Sequence, residues 1–215
     1  ACRLLHGSTA IAAGFYGHAI VNGIRASRFF LEELLASPVK AIFMVPTMCY
    51  TQNRGIGFPA SPNAPSIEDL LDALNWPETK GIEEISPELM LQRDQRDKGL
   101  LRLMEECLRQ GKVIQGHSAG MTDDKIINAL TAAGIMNNHE IVSVEEAKRQ
   151  AELGQYVLIR EGSACEDIRQ VLPIVTQHGY SSRAFQLCTD PVTPDWMLER
   201  GQMDHAVRVA IKNGL

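Results

Sequence analysis

Lys112-Val113-Ile114-Gln115-Gly116-His117 is a short run of apolar and β-branched residues that ends on a histidine. A helical stretch over residues 123–133 follows it, and a second short run lies at residues 135–138. Strand, helix and strand in that order predict a βα unit whose strands lie parallel in one sheet. The same alternation runs along the chain. Strand-like runs occur at residues 8–13, 39–45, 80–85, 112–117, 135–138, 156–160 and 184–189. They lead to helical stretches at 24–35, 67–74, 88–110, 123–133, 144–153, 165–175, and 194–199 with 204–212.

Local chemistry supports several of these boundaries. Ser66 stands before Ile67 with Asp69 at the third helical position, Thr122 stands ahead of Asp123 and Asp124, and Ser143 has Glu146 three residues on. Each is a side-chain acceptor placed to take an otherwise unpaired N–H of a first helical turn. Residues 47–65, rich in Pro, Gly, Asn and Ser, predict one long irregular connection after a strand, where α/β enzymes place binding loops.

Seven units exceed the five or six strands usual for an open doubly wound sheet and fall one short of a closed barrel. The expected fold is therefore α/β, a (β/α)8 TIM-type barrel with about seven of its eight units present. It is read as one domain over residues 1–215, since no linker divides the chain. The chain opens at Ala1 and goes straight through Leu4-Leu5-His6-Gly7 into a strand, so an upstream piece of a longer protein is expected.

Composition narrows the function. The 215 residues are 45% hydrophobic, 6% aromatic and 22% charged, the profile of a soluble globular chain. A formal charge of -5 has the wrong sign for tracking a phosphate backbone, so no nucleic-acid partner is expected. Apolar stretches such as 41–46 fall far short of the roughly 20 residues that a membrane helix needs. The expectation is a cytoplasmic protein with no membrane partner. Cys2, Cys49, Cys107, Cys165 and Cys188 are odd in number and contain no C-x-x-C pair, which reads as small apolar residues rather than disulfides or a zinc knuckle.

In a parallel α/β sheet the C-terminal ends of the strands form the chemical face. Four runs deliver metal-ligand side chains there: Gly81-Ile82-Glu83-Glu84-Ile85, Gln115-Gly116-His117-Ser118-Ala119-Gly120, Asn137-Asn138-His139-Glu140 and Cys188-Thr189-Asp190-Pro191. A single such histidine is more often a hydrogen-bonded structural residue than a ligand. Repetition at the same end of four strands reverses that reading. Two imidazoles with two carboxylates suit zinc, iron or manganese, and such an ion generates a nucleophile from water near neutral pH. His18, after the first strand, is a further candidate, and Arg160-Glu161-Gly162-Ser163 either holds substrate or caps the next helix through Ser163. His6, His178 and His205 read as surface or capping residues. No G-x-S-x-G elbow, P-loop, G-x-G-x-x-G fingerprint or P-C-x-x-C deaminase motif occurs.

Taken together, Val113-Ile114-Gln115-Gly116-His117-Ser118-Ala119-Gly120, Ala133-Gly134-Ile135 through Asn138-His139-Glu140, Arg160-Glu161-Gly162-Ser163-Ala164 and Cys188-Thr189-Asp190 resemble the adenine deaminase family of the amidohydrolase superfamily. His6-Gly7-Ser8-Thr9 and the stretch from Pro194-Asp195 to Gly201-Gln202-Met203-Asp204-His205 extend the resemblance to both ends. It implies a distorted barrel with a binuclear centre of divalent metal (Mn, Fe or Zn) that hydrolyses adenine to hypoxanthine and ammonia. It implies Glu84, His117, His139 and Asp190 as metal ligands, with Glu84 shared between two ions. Asp190 is implied as the group that moves the proton, with Glu84 beside it in catalysis. His18, Glu161 and Ser163 are the candidate substrate contacts.

The resemblance also implies an H-x-H pair on a first strand and a flanking β-sandwich, neither of which these residues supply. Pro191 stands where the family has a second aspartate, and Ala19 where it has glutamate. These two positions raise a related amidohydrolase acting on another purine or cyclic amide, or a catalytically inert barrel fragment, as alternatives. The expected partner is a small purine-like substrate. Unpaired edges of an open barrel predict a homo-oligomer.

Overall fold

A computed structural model describes residues 10–13, 16–38, 40–51, 61–87 and 98–215, with the side chains of 10–18 and 51 outside that description. The chain forms two compact units, Ala10–Gly116 and His117–Leu215 within the described residues.

The first unit carries β1 (Ala10–Ala13), α1 (Tyr16–Asn22), α2 (Ile24–Leu35), β2 (Lys40–Pro46), α3 (Met48–Thr51), α4 (Ile67–Leu74), β3 (Thr79–Ile85), α5 (Lys98–Arg109) and β4 (Val113–Gly116). β1 pairs with β2, β2 with β3 and β3 with β4, all parallel. Phe43, Val45, Ile82, Ile85 and Ile114 of the strands are wholly buried with Leu70 and Leu74 of α4 and Leu103 of α5. The indole of Trp76 stacks on Phe43 with centroids 5.1 Å apart. Alternation on the strands and the 3.6-residue stripe on the helices thus meet in one apolar layer. Gly81 lets β3 and β4 approach, because a Cβ there would lie 2.0 Å from the Val113 carbonyl oxygen.

The second unit carries α6 (Asp124–Ala132), β5 (Ile135–Asn138), α7 (Val144–Glu152), β6 (Tyr156–Arg160), α8 (Ile168–Val171), α9 (Pro173–Thr176), β7 (Phe185–Cys188), α10 (Pro194–Glu199) and α11 (Met203–Lys212). β5, β6 and β7 pair in that order, again parallel. Val157 and Ile159 of β6 pack into a core with Ile168, Val171, Leu172, Ile174, and Ala206, Val209 and Ala210 of α11. Parallel strands joined in sequence order with intervening helices are the topology of a (β/α) barrel. The fold is α/β, a partial TIM-type barrel.

Most boundaries agree with the sequence, and the differences have local causes. Ser66 and Asp69 form the reciprocal capping box that their spacing implies. Ser143 accepts from the Glu146 N–H. The cap of α6 is Asp123 rather than Thr122, its carboxylate accepting from the N–H groups of Lys125 and Ile126. The helix expected over 165–175 is split into α8 and α9, since Pro173 at the start of α9 lacks the N–H that a continuous helix needs. The strand end expected at His117 falls at Gly116. Within the expected irregular stretch 47–65, residues Met48–Thr51 are helical. The part of the expected helix 88–110 that lies within the described residues is α5. His6 and Cys2 lie outside the described residues. Among the described residues no helix is long and apolar enough to cross a membrane.

Candidate active site

Backbone strain marks two of the carboxylates singled out from sequence. Among the described non-glycine residues, positive φ occurs at Glu84 (61°), in the last residues of β3, and at Asp190 (53°), just past β7. A left-handed conformation costs an L residue roughly 1–2 kcal/mol, and such strain clusters at functional sites. In the first unit, the Thr47 hydroxyl donates to the Glu83 carbonyl at 2.6 Å, fastening the chain beside Glu84.

In the second unit, His117 begins the loop after β4, while His139 and Glu140 follow β5 directly. The two imidazoles meet edge to face with centroids 5.3 Å apart. Glu140 Oε1 lies 3.5 Å from His139 Nε2 and 3.9 Å from His117 Nδ1. His139, Glu140 and Asp190 each offer a ligand atom, and these atoms all lie within 4.8 Å of one another. That is a donor set of the kind that holds a divalent ion, with nitrogen and oxygen ligands on strand ends.

Asn138 holds the histidine loops in place. Its buried amide donates to the Ser118 carbonyl at 2.7 Å and accepts from the Ser118 N–H at 3.2 Å and the Glu140 N–H at 3.0 Å. One side chain thereby registers the residue after His117 against the residue after His139. Glu146, wholly buried, adds a second tie by accepting from the Met121 and Val142 N–H groups. Burial nonetheless pushes its carboxyl above the usual glutamate range.

Arg160, at the end of β6, is the cation among these acids. Its guanidinium is 4% exposed; Nε donates to Asp167 at 2.8 Å, and Nη1 donates to both Glu140 and Asp190, the latter at 3.2 Å. Burial opposes the charge, but Glu140 and Asp167 outweigh it and hold the Arg160 pKa above its ordinary value.

Of the residues expected from sequence, the structure brings His117, His139 and Asp190 into the second unit's cluster. Glu84 belongs to the first unit. His18 lies in α1 rather than in a loop, and its side chain is outside the described residues. Glu161 is placed differently from Arg160, because successive strand residues point to opposite faces. Its wholly buried carboxylate follows Val157 and Ile159 onto the side covered by α11, 3.6 Å from His205 Nε2. His205, read from sequence as a surface residue, is therefore partly buried, with Trp196 edge to face against it at 5.7 Å. Ser163 does not cap a helix; its hydroxyl donates to the Pro191 carbonyl at 3.0 Å and accepts from the Thr193 N–H at 3.0 Å. Glu140 and Asp167 have no role in the sequence reading, and Arg160 enters it only within the stretch offered as holding substrate. A carboxylate directly after a strand-end histidine, and an arginine at the matching end of the next strand, were the available signals.

Cys49 and Cys107 are buried, as their reading as small apolar residues requires, and burial pushes the Cys107 thiol up to about 11. Cys188, at the end of β7, is raised to about 12 by burial and by Asp190. Neither is a nucleophile near neutral pH.

The chain is 31% identical over 210 residues to adenine deaminase of Bacillus pumilus, a match covering 98% of the chain and 35% of that relative. It is 32% identical over 212 residues to the adenine deaminases of Bacillus velezensis and Bacillus subtilis, covering 99% of the chain and 35% of each. The chain is adenine deaminase-like along almost its whole length. It spans about a third of the length of the adenine deaminases it matches. No family model matches it.

Proposed function

We propose that the chain carries the strand-end ligands and the proton-transfer group of a metal-dependent deaminase that hydrolyses the exocyclic amine of adenine, giving hypoxanthine and ammonia. The observation that carries this reading is the convergence of His139, Glu140 and Asp190 beside His117, in a chain whose relatives along its length are adenine deaminases.

The donor set fits a divalent ion. Two imidazoles offer nitrogen, Asp190 offers oxygen from a strained turn, and Arg160 shows that the cluster already favours a positive charge. His139, Glu140 and Asp190 would hold the ion here, with His117 beside them. Such an ion supplies an activated water near neutral pH and polarises the group under attack. Asp190 takes the proton from the attacking water and delivers it toward the departing amine. Ser163, tied to the backbone after Asp190, and His18 are the proposed substrate contacts. Glu161 is omitted from that set because its carboxylate is packed under α11.

A second reading, another purine or a cyclic amide as substrate, is favoured by Pro191 and Ala19. Ala19 is wholly buried in α1 and presents no carboxylate.

The test strips the purified chain with chelator, reloads it with Mn2+, Fe2+ or Zn2+, and measures bound metal and ammonia release from adenine, N6-substituted adenines and cyclic amides. Metal uptake by the wild type, reduced at least about tenfold in His139→Ala, is expected, with adenine preferred in any turnover. A chain that refuses all three metals sinks the reading. Release from a cyclic amide alone transfers it to the second reading.

A further inference from the structure

We propose that Arg160 is a positioning residue that stands in for a cation between Glu140 and Asp190, keeping the two carboxylates at ligating distance in the metal-free protein and withdrawing when a divalent ion binds. This rests on the metal reading above and deepens it.

Glu140 and Asp190 oxygens lie within 4.8 Å of each other and of His139, yet their side chains are only 15% and 24% exposed. Two like charges so close and so poorly hydrated repel, and a cation placed against both offsets that repulsion. The structure places a single nitrogen, Arg160 Nη1, against both. The rest of the guanidinium is fixed from behind, with Nε on Asp167 at 2.8 Å. Asp167 is itself held in register, its backbone N–H donating to the Arg160 carbonyl at 2.9 Å. The planar fork is therefore aimed by one acid at the two others, a task that a flexible ammonium cannot match.

An ion that takes Glu140 or Asp190 as ligand must compete with Nη1 for the same oxygens. Arg160 consequently holds the two carboxylates in place when metal is stripped away and weakens the site's hold on metal. These two effects separate under mutation. A residue that merely supports the fold weakens metal binding when it is removed. Removal of a competing cation strengthens it.

The experiment compares the chelator-stripped wild type with Arg160→Gln and Arg160→Lys, titrating Mn2+ and Zn2+ by calorimetry and following the thermal midpoint with and without metal. Arg160→Gln is expected to bind at least about tenfold more tightly than the wild type, with a lower metal-free midpoint that added metal restores. Arg160→Lys, which keeps the charge and the stem but loses the fork, is expected to bind with intermediate affinity. It decides the matter if Arg160→Gln does not fold without metal. Equal or weaker binding by folded variants, in a wild type that does bind metal, overturns the role given to Arg160 and leaves the metal reading standing. No uptake by the wild type or either variant overturns both.

Discussion

Gly162→Ala tests how closely β6 controls the position of Asp190. Gly162 follows β6 at the point where the Glu161 N–H donates to the Cys188 carbonyl at 2.9 Å. A Cβ at Gly162 would stand 2.0 Å from the Thr189 carbonyl oxygen and 3.0 Å from that of Pro191. Carbon and oxygen rest at roughly 3.3 Å or more, so the Thr189 carbonyl must retreat by roughly 1.3 Å and that of Pro191 by roughly 0.3 Å. Neither contact is a flexible side-chain end, and the displaced oxygens belong to the strained turn that carries Asp190. Overpacking of this kind costs about 1–3 kcal/mol where side chains yield, and a backbone clash belongs at the top of that range. The expected loss is about 3 kcal/mol, read as a lowered urea midpoint followed by circular dichroism. Gly154→Ala is the control. There φ is 84° and nothing lies within 4 Å of the added methyl, so the cost is left-handed strain alone, about 1–2 kcal/mol. Metal affinity separates the two further: Gly162→Ala is expected to lose it and Gly154→Ala to keep it. A Gly162→Ala protein as stable as the wild type, or one that holds metal equally well, would refute the claim that these two segments are locked together.

Two more substitutions probe buried polar groups. Asn138→Ala leaves the Ser118 and Glu140 N–H groups without their shared acceptor and is expected to lower stability by about 3 kcal/mol in urea unfolding, with metal affinity falling alongside. Unchanged metal affinity would show that the histidine loops hold their register without it. Glu161→Gln acts through pH. Burial, then Glu166, raises the Glu161 carboxyl above its ordinary range, so the folded state keeps a proton that the unfolded chain has released. The stability that Glu161 contributes is therefore full below about pH 4.3 and is lost as pH rises toward the elevated folded value. A glutamine does not titrate, so Glu161→Gln is expected to gain on the wild type between pH 4 and pH 7, by about 1–3 kcal/mol at the upper end. A stability difference that stays flat over that window would contradict the buried placement of the acid.

The periodicities made the fold legible because each strand and helix had only one way to bury its apolar side. Runs such as Val113-Ile114 and Val157-Leu158-Ile159 are too short and too apolar for surface helices, and the capped stretches after them supply the covering layer. What periodicity does not report is a single residue that interrupts an otherwise helical pattern. Pro173 was such a residue, and it divided α8 from α9. The helix at Tyr16–Asn22 is illegible for a related reason, since Gly17 lies within it, Gly23 follows it, and its span is too short to establish a period.

The site was legible only as far as side-chain type and strand position reach. The convergence of His117, His139 and Asp190 is legible because ligand chemistry at successive strand ends is a one-dimensional pattern. Which way Glu161 faces is not legible in a stretch that offers Arg160, Glu161 and Ser163 together. Strand alternation sends the two to opposite sides, Arg160 to the acids and Glu161 beneath α11. The importance of Glu140 and Asp167 depends on a three-dimensional fact, that one guanidinium reaches both of them and Asp190. Neither acid's chemistry is visible without Arg160 between them. The positive charge that the acids require is provided from within the strand, and affinity for any external cation is set by how readily that charge gives way.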